Sequence, residues 1–94
     1  MEIEEGGRRW QHPDLDLARA HVQELIQELE RVVDVFPAAV IEDKAASVAI
    51  HVRGVAYDQR AAALALADAC AEPWVAGGRL RRLEGSLVIE YLPN

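Results

Sequence analysis

From Leu15 to Phe36 the apolar residues recur at helical spacing: Leu15, Ala18, Val22, Leu25, Ile26, Leu29, Val32, Val33 and Phe36. Arg19, Gln23, Gln27, Glu30 and Asp34 fill the intervals. This pattern predicts a long helix with one apolar stripe. It constrains the fold more than any other feature, because a stripe of that length must be covered by something else in the chain. His12-Pro13-Asp14 marks the start, since proline suits the first helical turn, and Pro37 marks the end.

The rest of the sequence supplies the cover. Residues 38–42 and 47–53 have strand character, and residues 43–46 are short enough for a hairpin loop. Asp58 reads as an N-cap for an alanine-rich second helix over residues 59–72, which Pro73 is expected to stop. Gly77-Gly78 makes a turn. Residues 79–83 and 86–92 flank Glu84-Gly85 as a second hairpin. Residues 2–5 read as a further short strand before a Gly6-Gly7 turn. The main order is helix, strand, strand, helix, strand, strand.

Strand side chains alternate between faces, so a register can be tried. Pairing Glu42 with Ser47 puts Ala39, Ile41, Val48, Ile50 and Val52 on one face. Val40, Glu42, Ala49, His51 and Arg53 then take the other. Pairing Leu83 with Ser86 gathers Leu80, Leu87, Ile89 and Tyr91, interrupted by Arg82, and sends Arg79, Arg81 and Glu90 to the opposite side. Two striped helices can cover only the apolar faces. The expected fold is α+β: a four-stranded antiparallel sheet with both helices packed on one face, in the order αββαββ, as a single domain over residues 1–94. The other face stays open, with Val40, Ala49, Leu83 and Val88 partly exposed among its charges. Composition alone fits a solvated face laced with weak ion pairs equally well. Its mixture of small residues with both signs of charge would also suit a polyhydroxylated ligand.

Net charge is −6 and hydrophobic residues make up 51 % of the 94 positions. That balance argues against a general nucleic-acid binder and against disorder. No apolar run approaches the roughly 18 residues of a membrane span, and no signal-peptide pattern opens the chain. The single cysteine, Cys70, forms no internal disulfide and reads as a small core residue. A cytoplasmic location is expected. His12, His21 and His51 lack ligand-like spacing, so no metal site is expected in this chain. Trp10 and Trp74 are expected to pack at the sheet edges.

Lys44 is the only lysine; the other nine basic side chains are arginine. It lies in the first hairpin loop, within the stretch IEDKAASVAIHVRG. A compact, strongly hydrated ammonium offers three donors in a way that a guanidinium cannot. Glu42-Asp43-Lys44, followed by His51-Val52-Arg53, resembles the cap domain of trehalose-6-phosphate phosphatases, in the haloacid dehalogenase superfamily. That cap carries an acidic-x-lysine turn and then a strand ending in His-Tyr-Arg. Glu2-Ile3-Glu4 is similar to the end of the family's Gly-Leu-Glu-Ile strand leading into the cap. Gly85 to Pro93 is similar to its Gly-Lys-x-x-x-Glu-x-x-Pro strand leading out. Val52, Ser86 and Leu92 stand where tyrosine, lysine and arginine are common. These departures leave the sugar open, with sucrose-phosphate and mannosyl-phosphoglycerate phosphatases as related candidates.

The resemblance implies a cap that closes over an active site and holds the sugar of a sugar phosphate. Glu42, Lys44, His51 and Glu90 would be its hydroxyl partners, and Arg53 a further partner or a brace for the sheet. It also implies a catalytic core elsewhere in a parent enzyme, using Mg²⁺ and an Asp-x-Asp nucleophile motif. Asp14-Leu15-Asp16 imitates that motif. However, His12-Pro13 precedes it instead of an apolar strand, Ala18 replaces a threonine, and Leu15 begins the helical stripe. These carboxylates read as ordinary helix-start residues. The chain alone is therefore expected to be inactive, and its open face to self-associate weakly. The rival reading is a stand-alone small-molecule-binding or interaction module of the same αββαββ order.

Overall fold

The apolar stripe forms helix α1, Pro13–Val35, in a computed structural model that describes residues 13–94. The strand expected at residues 2–5, the Gly6-Gly7 turn, His12 and Trp10 lie outside the described residues. Two hairpins follow, one on each side of a second helix. The first is β1 (Val40–Asp43) with β2 (Val48–His51). A 3-10 turn (Tyr57–Gln59) leads into α2 (Arg60–Ala76). The second hairpin is β3 (Leu80–Gly85) with β4 (Val88–Pro93). The strands join in the order β1-β2-β4-β3, every neighbouring pair antiparallel. The two hairpins thus meet along β2 and β4 at the centre.

Helix α1 lies against β1, β4 and α2, and α2 lies against β3. Val22, Leu25, Leu29 and Val32 on α1 are fully buried against Val48, Ile50, Ile89 and Tyr91. On α2 the buried stripe is Ala63, Ala67 and Ala71. Side chains this small let the helix axes approach closely, and inserted methylenes at such a contact typically cost about 1–3 kcal/mol. The α+β fold with both helices on one sheet face is as the apolar pattern requires. Cys70 is partly buried beside this core, its Sγ donating to the Glu28 carbonyl at 3.4 Å, and burial pushes its thiol pKa up. Trp74 packs against the core from α2.

The structure corrects four local expectations. Asp58 is no N-cap: it sits within the 3-10 turn, Gln59 holds the cap position, and no side chain caps α2. The approach to α2 is fixed instead by Arg60, whose Nε donates to the Val55 carbonyl at 2.9 Å and whose Nη2 donates to that of Arg53 at 2.8 Å. Pro73 does not stop α2, which runs on to Ala76. A proline removes its own donor, but the residues after it can stay helical. The stop is Gly78, at φ +76°, with Arg79 N–H donating to Trp74 O and Gly78 N–H to Val75 O. Those two bonds make a Schellman end, which favours glycine at the left-handed position.

Both hairpin registers also differ from expectation. Glu42 pairs with Ala49 instead of Ser47, and Leu83 with Glu90 instead of Ser86. The second loop is Ser86-Leu87, while Glu84 and Gly85 belong to β3. The shifts are by even numbers of residues, so each side chain keeps its expected face. The loops are tight because Ala45 and Leu87 accept positive φ, +70° and +61°.

Candidate functional site

Three strands and one loop bring the site together on the open face. Glu42, Ala49 and Glu90 form one row across β1, β2 and β4; Val40, His51 and Val88 form the next. Paired residues of antiparallel strands project to the same side, so all of these share a face. Lys44 reaches this face from the β1–β2 loop. A cavity of about 360 Å³ opens here, lined by Lys44, Ala49, His51, Leu83, Val88 and Glu90 among others, with Glu42 outside its lining.

The polar groups are linked in pairs. His51 Nε2 donates to Glu42 Oε1 at 2.8 Å. Lys44 Nζ stands 3.6 Å from Glu90 Oε1, and Ser47 Oγ donates to Glu90 Oε2 at 3.0 Å. Glu90 is the most enclosed of the four, with a quarter of its side chain accessible; Lys44 and His51 keep 41 % and Glu42 50 %. Each group therefore has a partner and also a side open to solvent. Ala49 was expected to be partly exposed but is 1 % accessible, because Glu42 and Glu90 flank its methyl group in the same row. Its small size makes the floor between two carboxylates. Val40 and Leu83 are more than half exposed, as expected of an uncovered face.

Arg53 is not brought to this cluster. β2 ends at His51, and Arg53 lies in the exposed turn beyond it, where its carbonyl accepts from Arg60. The other four proposed contact residues do converge. Sequence reasoning missed two supporting side chains. One is Ser47, bound to Glu90. The other is Asp43, whose Oδ1 accepts from the Ala45 N–H at 2.8 Å and whose two oxygens lie 3.3 and 3.4 Å from Gln23 Nε2. Adjacent carboxylates on a strand end point to opposite faces, and that alternation was the available signal for giving Glu42 and Asp43 different tasks.

Both signs of charge are present, with the Glu42 and Glu90 carboxylates against the Lys44 ammonium, and the His51 imidazole stands beside Glu42. Among the described residues no three His, Cys, Asp or Glu side chains converge as a metal site. The arrangement offers carboxylate acceptors, an ammonium donor and an imidazole around a small floor. Such a set can hydrogen-bond several hydroxyl groups at once.

No family model and no curated protein sequence matches the chain. Among solved structures it is similar to the trehalose-6-phosphate phosphatase of Aspergillus fumigatus, with TM-score 0.74 and 16 % identity, over 93 % of this chain and 32 % of that one. It is also similar to the C-terminal domain of C. albicans trehalose-6-phosphate phosphatase, with TM-score 0.65 and 16 % identity, over 94 % of this chain and 31 % of that one. The resemblance read in the sequence is thus met at the level of fold. This chain spans about a third of the length of the structures it matches. No helix among the described residues is long and apolar enough to cross a membrane.

Proposed function

We propose that this domain is the specificity cap of a sugar-phosphate phosphatase, trehalose 6-phosphate being the leading substrate. One observation carries the proposal. In a fold shared with two trehalose-6-phosphate phosphatases, Glu42, Lys44, His51 and Glu90 converge on the sheet face that the helices leave uncovered. On this reading the face closes over a catalytic core belonging to the rest of the enzyme. It holds the sugar ring that does not react, while the core supplies the nucleophile and Mg²⁺. Closure would exclude water and tie turnover to the right sugar. With two carboxylates among its four ionisable contacts, the cap suits the uncharged part of the substrate, and the phosphoryl group is left to the core. Arg53 takes a bracing role, away from the ligand.

Amide shifts of the 94-residue chain, followed by NMR during titration, test the reading. Trehalose and trehalose 6-phosphate should both move residues 42, 44, 49, 51 and 90. Inorganic phosphate should not. Shifts confined to the helices, or a response to phosphate alone, would refute the cap reading. The same preparation, given trehalose 6-phosphate and Mg²⁺, should release no phosphate above background. Turnover that follows the chain through purification would place catalytic groups within it, against the proposal.

A further inference from the structure

Lys44 is held at its root by an unfavourable piece of backbone. Ala46 N–H donates to the Lys44 carbonyl at 2.8 Å, and Ala45 between them has φ +70°. This is a γ-turn with positive φ, a strained form, and it falls on a residue whose Cβ disfavours the left-handed region. Lys44 N–H closes the loop by donating to the Ser47 carbonyl at 2.9 Å. A turn of this kind persists where its surroundings over-determine it. The residue that does so is Asp43: its Oδ1 takes the Ala45 N–H at 2.8 Å, inside the strained unit. Gln23, whose Nε2 lies 3.3 and 3.4 Å from the two carboxylate oxygens, holds Asp43 from the other side. The backbone at Gln23 is itself fixed in place, because the preceding residue on α1, Val22, is fully buried in the core.

We infer that Asp43, backed by Gln23, is a positioning residue that holds the Lys44 ammonium beside Glu90. The adjacent acids then divide the work: Glu42 lies on the open sheet face beside His51, and Asp43 faces back to lock the turn that aims Lys44. The lysine needs this help because its side chain has four rotatable bonds and its ammonium stands 3.6 Å from Glu90 Oε1, with 41 % of the side chain accessible. A charge pair that exposed does not hold a flexible side chain by itself. Relaxation of Ala45 to negative φ would break the bond from Ala46 N–H to the Lys44 carbonyl and loosen the backbone from which the Lys44 side chain springs. The consequence for ligand binding rests on the reading of Lys44 as a sugar contact; the placement of Lys44 does not.

The test uses Asp43→Ala, Ala45→Gly and the double variant, with Lys44→Met as a control, all in the 94-residue chain. Without ligand, Asp43→Ala should raise amide exchange at Ala46, whose N–H closes the γ-turn, at least tenfold and abolish the nuclear Overhauser contacts from the Lys44 side chain to Glu90. Adding Ala45→Gly should restore both, since glycine adopts positive φ without a Cβ clash. Unchanged exchange and contacts in Asp43→Ala would overturn the inference, and so would a loss that glycine fails to rescue. Trehalose titration separates the two readings. If Lys44→Met binds as the unaltered chain does, the sugar-contact reading fails while the turn data still decide the role of Asp43. If Lys44→Met weakens binding, Asp43→Ala should weaken it to a similar degree and the double variant should recover it.

Discussion

Asp68, Arg82, Glu84 and Tyr91 form a polar cluster on the helix-covered side of the sheet, and Glu42, Lys44, His51 and Glu90 form another on the open side. Both mix the two signs of charge, and in both the closest contacts are 2.8 Å. They differ in what anchors them. Asp68 Oδ1 accepts from the hydroxyl of the fully buried Tyr91 and from Arg82 Nε, both at 2.8 Å, and Arg82 Nη2 donates to Glu84 at 2.9 Å. The hydrogen bonds that Arg82 donates to Asp68 and then to Glu84 push its pKa up from the ordinary value. That cluster ties α2 to β3 and β4, and its demands are met from within. Asp68, Arg82 and Glu84 keep 38, 35 and 53 % of their side chains accessible, much as the open cluster does, so the difference lies in Tyr91: no member of the open cluster is fully buried. A polar group that the core depends on serves the fold. One that is paired but accessible can exchange its partner for a ligand.

The largest expected effect sharpens this contrast. Asp68→Ala leaves the Tyr91 hydroxyl buried without an acceptor, and should cost about 2–3 kcal/mol in urea unfolding. Glu42→Ala and His51→Ala should each cost no more than about 1 kcal/mol, the range of exposed ion pairs. Equal losses in the two clusters would erase the distinction and make the open face structural.

A second, smaller effect appears at alkaline pH. Burial first, and then the hydrogen bond to Asp68, holds the Tyr91 hydroxyl well above its ordinary value of 10.0. A folded pKa above the unfolded one adds stability that is fully present below about pH 10 and is lost as pH rises toward the folded value. The slope is at most about 1.4 kcal/mol per pH unit for one proton. Urea midpoints measured on either side of pH 10 should therefore fall in the unaltered chain and change less in Tyr91→Phe. A Phe variant with the same alkaline loss would show that the covered cluster does not hold the hydroxyl as described.

The weakest expected effect belongs to the open cluster. A face carrying both signs of charge is self-complementary about a two-fold axis, so two copies should associate face to face at low salt. Exposed charge pairs are screened by salt, with a Debye length of about 10 Å at 0.1 M. Sedimentation should show association that fades as salt rises. A tight dimer indifferent to salt, or one joined through the helices, would contradict the idea that these groups remain available.

How legible this was in the sequence depends on which physical rule set each feature. The assignment of side chains to faces was legible, because pleat parity follows the apolar pattern: Ile41, Val48, Ile50 and Ile89 could not be moved to the open side without exposing the core. The loops were not, because Ala45 and Leu87 take positive φ without a glycine to announce it. Leu87 is held by packing on the core and by its carbonyl, which accepts from Val52 N–H at 2.9 Å. Neither contact has a local signature. Pro73 misled for the opposite reason: it is a strong local signal overridden by a helix end that Gly78 supplies further on. Of the site, Glu42, Lys44, His51 and Glu90 followed from parity together with the family resemblance. Arg53 had the right parity, but the strand stops short of it. The role of Asp43 depends on Gln23, twenty residues earlier, and contacts between distant segments are invisible to periodicity.

The strand order β1-β2-β4-β3 has a consequence for how the site comes into being. Glu42, Lys44 and His51 come from the αββ unit that precedes the Arg53–Val55 connection, and Glu90 from the αββ unit that follows it. The seam between them is the β2–β4 ladder, which pairs residues far apart in the chain, from His51 with Val88 to Val48 with Tyr91. Ladders of that kind close late in folding, because chain entropy must be lost before they form. Neither unit alone carries all four groups, so on the proposed reading competence for ligand would be acquired only when the two are zipped together. A sugar held between Lys44 and Glu90 would in turn act as a staple across the seam. The link could be exploited by severing the chain between its two units: reassembly of the fragments, driven by a saccharide, would turn the domain into a split sensor.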